Sequence, residues 1–271
     1  MNYLGAKMKI SQIIFIIFVI VLYGCSNQGL KTPGINDIQA CENSVDFWVE
    51  DELIKSPALD VDQFKKEILS KYCGEEILPN AKILTQNGFK TYLEYTWNEK
   101  SYDGVYNPDI RPAVEWIKNN IGDDARITSW WDYGHMIRAL GRRDAVLFAP
   151  SEEFVRDYKA YYPDWRATFK KEDYLDHNIL VDVSRILLAQ NPKIAIELLK
   201  KYNSKYLLLT SKDFYISNVI NRWVGGEYIN PSENSLLVSL LKGQDIEGFH
   251  LIYSDKYTAI YEIEEFNLTN S

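Results

Sequence analysis

The chain has 271 residues, 46% of them hydrophobic and 25% charged, enough for one large or two modest domains and too apolar for a disordered polymer. A net charge of −8 with no long basic run argues against a nucleic-acid groove or a surface for anionic membranes. The 19 tyrosines and seven tryptophans suit carbohydrate or peptide recognition, and equally suit an aromatic core.

In chain order, Lys7 and Lys9 precede the apolar run Ile10–Leu22. As a helix this run would be about 20 Å long, short of the roughly 30 Å of a bilayer core, so residues 1–25 read as a secretory signal. The stretch "LYGC", Leu22 to Cys25, resembles the lipobox of prokaryotic lipoproteins, in which the cysteine is lipidated and becomes the new N-terminus. The alternative is an uncleaved anchor; both place the rest of the chain outside the cytoplasm, at the outer face of the cell membrane. Met8 is a second candidate start, and "SNQGLKTPG" reads as a tether. With Cys25 lipidated, Cys41 and Cys73 remain as an even pair in an oxidising compartment, and a disulfide between them is expected; two buried thiols are the alternative.

Residues 26–104 read as this tether followed by a small α+β region. "SVDFWVEDELIKS" and "DVDQFKKEILSKYC" are amphipathic helices with Ser or Asp starts, and "KTYLEYTWNEK" alternates like a strand. The pattern sharpens over residues 105–266, before a short tail at 267–271. Asp109 can cap a helix beginning near Pro112, and Gly122 follows its end. "ARITSWW" reads as a buried strand, "YGHMIRAL" as a helix closed by Gly141, and "DAVLF" as another strand. Ser151 is placed to cap "EEFVRDYKAYY". Helices "DVSRILLAQ" and "PKIAIELLKKY" follow, the second started at Asn191-Pro192 and stopped by Asn203. Then come the apolar strand "KYLLLT", the helix "DFYISNVINRW" and a hairpin "FHLIYSDKYTAIYEI" turning at Ser254–Lys256. Strands alternating with helices predict an α/β fold, with a partly parallel sheet covered by helices and a C-terminal β-hairpin. Ligands in such sheets sit at the carboxyl ends of strands, where "WWDYG" falls.

"SWWDYGHMIRALGRR", Ser129 to Arg143, resembles the signature of the oligosaccharyltransferase catalytic subunit, the enzyme of protein N-glycosylation in archaea and eukaryotes. The Trp116 helix before it, and "AIELLKKYNSKYLLLTSKDFYISNVINRW" and "GFHLIYSDKYTAIYEIE" after it, occur in the order of that family's soluble domain. The resemblance implies that Trp130, Trp131, Asp132, Tyr133 and Gly134 bind the hydroxyl residue of an Asn-x-Ser/Thr acceptor. The chemistry is consistent: the indoles offer N–H donors, Asp132 offers an acceptor, and Gly134 allows close backbone approach. A site that pairs a hydroxyl rejects an analogue lacking it. The competing structural role has the tryptophans filling the core and Asp132 capping the following helix. A second family element, Asp-x-x-Lys-x-x-x-Met, maps onto Asp213, Ile216 and Ile220; the lysine is replaced by Ile216 and the methionine by Ile220.

In that family the catalytic carboxylates and metal ligands belong to a multispanning membrane domain, and this chain has no second apolar run of about 18 residues. No catalytic residue, metal or cofactor is therefore expected. His135, His177 and His250 lack metal-ligand spacing, and Glu152–Glu153 sit where a helix dipole favours acids. The expected partners are an acceptor polypeptide, a multispanning glycosyltransferase and the membrane through the N-terminal lipid or anchor, with no nucleic acid. The alternative function is a lipoprotein sugar- or peptide-binding module of a transport or surface system. A hydrolase built on Asp132 and His135 lacks a nucleophile motif.

Overall fold

The computed structural model describes residues 35–55, 60–86, 88–161, 171–222 and 234–264. The signal and tether, including Cys25, and the tail at 267–271 lie outside these residues. Among the described residues no helix is long and apolar enough to cross a membrane. The chain divides into two compact units. One holds the described residues up to Gly74 with Thr85–Thr91 and those of Val155–Asp173; the other holds Glu75–Leu84, Tyr92–Phe154 and the described residues from Tyr174 onward.

The first unit is built on helices α1 (Ile35–Lys55) and α2 (Val61–Tyr72). Asp60 caps α2 by accepting from the Gln63 N–H at 3.1 Å. Ser44 was expected to start a helix, but α1 begins at Ile35, and the Ser44 hydroxyl donates back to the Ala40 carbonyl inside the helix at 3.0 Å. Cys41 on α1 and Cys73 at the end of α2 form a disulfide, with Cα atoms 6.0 Å apart. Trp48 meets Tyr72 edge-on at 5.5 Å between ring centres and lies 6.0 Å from Phe89.

In the second unit lie β1 (Glu76–Leu78) and most of a four-stranded sheet of order β1-β2-β3-β4, with β2 at Ala81–Gln86, β3 at Phe89–Trp97 and β4 at Lys100–Val105. The alternation in β3 puts Thr91, Leu93 and Tyr95 inside. Asn98 and Glu99, both at positive φ, close the β3–β4 hairpin as a type I′ turn requires. The larger sheet has β5 (Arg126–Thr128), β6 (Asp144–Ala145), β7 (Tyr206–Thr210), β8 (Phe249–Ser254) and β9 (Thr258–Ile263) in the order β6-β5-β7-β9-β8. The first three are parallel; β9 pairs antiparallel with both β7 and β8. Leu207, Leu208 and Leu209 in succession are fully buried, as in a strand covered on both faces. The helices are α3 (Arg111–Asn120), α4 (Trp131–Ala139), α5 (Glu152–Tyr161), α6 (His177–Leu188), α7 (Pro192–Lys201), α8 (Ser211–Arg222) and α9 (Leu236–Leu241). α3 packs on β9, α8 and α9 pack on β7, and α6 packs on α7, α8 and α9. The protein is thus α/β, with the mixed sheet and C-terminal hairpin that the pattern predicts.

Three local expectations change. Asp109 does not cap α3: it lies in a 3₁₀ turn, Pro108–Ile110, whose start is capped by Asn107, and Ile110 precedes α3 with no side-chain cap. β5 stops at Thr128, because Trp130 is already the N-cap of α4 and the Tyr133 N–H closes back on the Trp130 carbonyl at 3.1 Å. "DAVLF" pairs only at Asp144–Ala145. Beyond it the backbone of Leu147 and Phe148 crosses α4 at Gly134, where a Cβ would lie 2.2 Å from the Leu147 carbonyl oxygen. This crossing is why position 134 takes a glycine.

The disulfide closes a separation of 32 residues, which corresponds to roughly 3–4 kcal/mol of unfolded-chain entropy. Thermal melting with and without reductant should show destabilisation of that size, reproduced by the Cys41→Ser/Cys73→Ser variant without reductant. Labelling of both thiols in the unreduced protein would contradict the bond.

Candidate functional site

β5 and β7 run parallel, with Ile127 opposite Tyr206 and Thr128 opposite Leu207. Their carboxyl ends therefore point the same way, and α4 and α8 both start from that edge. The two helix starts are tied together. The Tyr133 phenol donates to Asp213 Oδ1 at 3.1 Å and shares a 2.8 Å hydrogen bond with Thr210 Oγ1. Asp213, third residue of α8, reaches back to accept from the Thr210 N–H at 2.7 Å, as the acid of a capping box does. Thr210, Tyr133 and Asp213 are all buried.

Asp132 stands beside this network with a different environment. The residue is only partly buried, yet its Oδ1 is closed to solvent and has no hydrogen-bond partner. Unmade bonds of that kind inside a protein cost about 1–3 kcal/mol each. Burial, then the Asp213 charge, pushes the Asp132 carboxyl up to about 7, with Lys212 pulling it back. Burial pushes Asp213 up to about 7 as well, against the opposing pull of its hydrogen bonds and Lys212. The same burial, with Asp213 and Asp132 adding to it, holds the Tyr133 phenol well above its ordinary range, so it stays protonated. The ionised Asp213 thus makes the Asp132 carboxyl harder to ionise.

Both indoles are enclosed, Trp130 at 2% and Trp131 at 5% exposure, and each meets Phe154 edge-on, with ring centres at 6.3 and 6.1 Å. Asp132 makes no N-cap bond; it lies in the first turn of α4, and the N-cap is Trp130. Behind the turn, His135 Nδ1 bonds the Tyr95 hydroxyl at 3.0 Å, and a Cβ at Gly104 would collide with its ring. Burial lowers the His135 imidazole to about 3 and keeps it neutral. His177 bonds the Ser151 hydroxyl, which caps α5 through the Phe154 N–H, and His250 faces Glu264 at the surface. Among the described residues no group of three or more His, Cys, Asp or Glu is placed to hold a metal ion.

No family model matches the chain. Curated proteins do. The dolichyl-diphosphooligosaccharide–protein glycosyltransferase subunit stt-3 of Caenorhabditis elegans is 40% identical over 45 residues, 17% of this chain and 6% of that protein. The corresponding subunit of Dictyostelium discoideum is 46% identical over 50 residues, 18% of this chain and 7% of that protein. The chain is similar to oligosaccharyltransferase subunits. Its matched stretch spans less than a tenth of the length of those relatives. Among solved structures, the C-terminal globular domain of the oligosaccharyltransferase from Archaeoglobus fulgidus overlaps 59% of this chain and 99% of its own, with a TM-score of 0.42 and 16% identity.

In this oligosaccharyltransferase-like chain the structure brings together Asp132, Tyr133 and Asp213, residues expected from two separate sequence elements. Ile216 is half-buried one turn along α8. Ile220 is wholly enclosed, about 10 Å along the helix from Asp213. Sequence reasoning passed over Thr210 and Lys212, and read Asp109 only as a helix cap. Lys212 Nζ lies 3.3 Å from Asp109 Oδ2 and 3.5 Å from Asn107 Oδ1. The available signal was position: Thr210 and Lys212 flank the carboxyl end of a strand parallel to the one carrying "WWDYG".

Because the acid pair titrates high when folded, the stability it contributes is fully present below the ordinary carboxyl value of 3.8 and is lost as pH rises through about 7. His135 acts oppositely: its contribution is present above 6.5 and is lost as pH falls towards about 3. Asp132→Asn removes the Asp132 share of the first effect and leaves His135 untouched. The variant should melt higher than the parent at about pH 8, with the gap closing towards about pH 4. A parallel pair of melting-versus-pH curves would contradict the coupling.

Proposed function

We propose that this chain is an acceptor-binding domain of oligosaccharyltransferase type, which takes the hydroxyl residue of an Asn-x-Ser/Thr segment at the Trp130–Gly134 turn. The observation that supports this reading best is Asp132 Oδ1, a solvent-excluded acceptor with no partner in the same turn that the family resemblance assigns to the acceptor hydroxyl. A hydroxyl brought to it would supply the missing bond. Asp213 and Tyr133 act from behind, holding the two helix starts at the spacing the turn needs. With both indoles packed on Phe154, Trp130 and Trp131 serve as the rigid wall of the turn. Gly134 lets the Leu147–Phe148 backbone close its far side. Ile216 and Ile220 stand where the family has polar and thioether contacts, so absolute affinity is expected to be weak. The chain does not itself transfer sugar in this reading; it presents or reads the acceptor for a membrane-embedded glycosyltransferase. It is held at the outer face of the cell membrane by lipid on Cys25, which becomes the N-terminus after removal of residues 1–24.

A peptide with Asn-x-Thr should bind about fivefold to 150-fold better than the same peptide with Asn-x-Ala, the ratio set by about 1–3 kcal/mol for a stranded polar group. NMR titration at millimolar peptide reads it. Asp132→Ala, which removes the acceptor, should erase the ratio and keep the fold, whereas Trp131→Ala should cost about 3–5 kcal/mol of stability as a core truncation. Equal shifts with both peptides would remove sequon reading from this protein. For the anchor, Cys25→Ser should release the chain from the membrane fraction; retention with Lys7 and Lys9 still present would favour an uncleaved helix.

A further inference from the structure

The chain carries one Asn-x-Ser/Thr segment of its own. Asn267-Leu268-Thr269 is the one place in the 271 residues where an asparagine is followed two positions later by serine or threonine with no proline between. A second pairing, Asn230-Pro231-Ser232, has its middle position taken by proline, which fixes φ and removes a backbone donor. Thr269 stands five residues past Glu264, which directly follows β9.

The direction of β9 decides which turn that tail can reach. β9 runs antiparallel to β7, with Thr258 opposite Thr210 and Glu262 opposite Tyr206. The carboxyl end of β7 is the edge from which α4 and α8 start, so β9 begins at that edge and runs away from it. Its far end is fixed: the Ile263 N–H donates to the Lys205 carbonyl at 2.8 Å and the Glu264 N–H to the Gly248 carbonyl at 3.1 Å. At about 3.4 Å per residue, Glu264 sits roughly 17–20 Å back from the level of the turn. β5, which leads into the turn, is two strands from β9, about 10 Å across the sheet. The straight-line separation is therefore about 20–22 Å. Five residues of fully extended chain span at most about 18 Å, and a real path must go round the covering helices. Thr269 therefore falls short of the turn in its own chain. The turn of another copy carries no such limit.

We propose that Thr269 is a ligand for the Trp130–Gly134 turn of a second copy of this chain, the hydroxyl of one copy's tail donating to Asp132 Oδ1 of the other. This rests on the hydroxyl-reading role given to the turn, and it names the chain itself as an acceptor segment the turn takes. Asp132 Oδ1 is closed to solvent and has no hydrogen-bond partner among the described residues. A threonine hydroxyl has one proton to donate to such an acceptor. Its methyl group needs an apolar wall, which the two indoles packed on Phe154 supply. The contact uses two different surfaces, so it links copies head to tail. A weak site fills only as ligand concentration approaches its Kd, so the copies meet measurably at about millimolar concentration.

The test mixes two variants of the purified full chain. Isotopically labelled Thr269→Ala keeps the turn, and unlabelled Asp132→Ala keeps the tail. Adding the second to the first should shift the amides of Trp131 to Gly134 in the labelled copy and approach saturation in the millimolar range. The double variant Asp132→Ala/Thr269→Ala as donor should bind about fivefold to 150-fold more weakly. Asp132→Ala/Thr269→Ser should restore binding, since it returns the hydroxyl. Equal responses to the donors with and without the hydroxyl overturn the proposal, and so does a flat titration. Shifts at the turn that separate the parent from Thr269→Ala and persist unchanged on dilution also overturn it, because they place the tail on its own turn. A free Asn-x-Thr peptide added to labelled Thr269→Ala separates the two failures. If the peptide shifts the turn and the tail donor does not, only the recognition between copies fails. If neither does, the hydroxyl-reading role fails with it.

Discussion

The parallel pairing of β5 with β7 is the constraint on which the rest depends. It sets two helix starts on one edge of the sheet and lets a single hydrogen bond, from Tyr133 to Asp213, join segments 80 residues apart in sequence. Helix starts carry partial positive charge, which favours acids in the first turn of each. Asp132 and Asp213 occupy those positions. Both carboxyls are enclosed, and the charge of Asp213 raises the proton affinity of Asp132. The sheet topology thus produces the electrostatics of the site.

In the proposed reading, a piece of the core serves as a binding wall. Trp130 and Trp131 both belong to the buried core, and Phe154 wedges edge-on against both. Gly134 accepts the backbone of Leu147 and Phe148 where any side chain would collide. A turn held from so many sides has little freedom to collapse onto its own unpartnered acceptor. That is the physical reason Asp132 Oδ1 persists unpaired: repairing it from within would require breaking aromatic packing worth more than one hydrogen bond.

Much of this was legible in the sequence where one local rule dominated. The run "KYLLLT" reads as a doubly covered strand because three successive leucines leave no face for water. Asp60, Ser151 and Asn191 read as caps because a small acceptor precedes each amphipathic run, and each caps. The rule failed where two signals competed. Asp109 has the right spacing to cap α3, but Asn107 takes a preceding turn and leaves Asp109 to Lys212. "ARITSWW" is apolar enough for a long strand, yet the turn at Ser129–Trp130 ends it, because α4 must start there for Tyr133 to reach Asp213. Within the site, the sequence singled out the residues carried by the family resemblance and passed over Lys212 and Thr210. Their importance comes from a tertiary meeting of β7 with α4 that no local pattern announces.

The central claim is that the Trp130–Gly134 turn takes an acceptor hydroxyl. Its most direct test is to map amide shifts on the isotopically labelled chain as an Asn-x-Thr peptide is added. The account predicts saturable changes that are largest at Trp131 to Gly134 and at Lys212 and Asp213. Saturable changes centred elsewhere, or none that saturate, would contradict it.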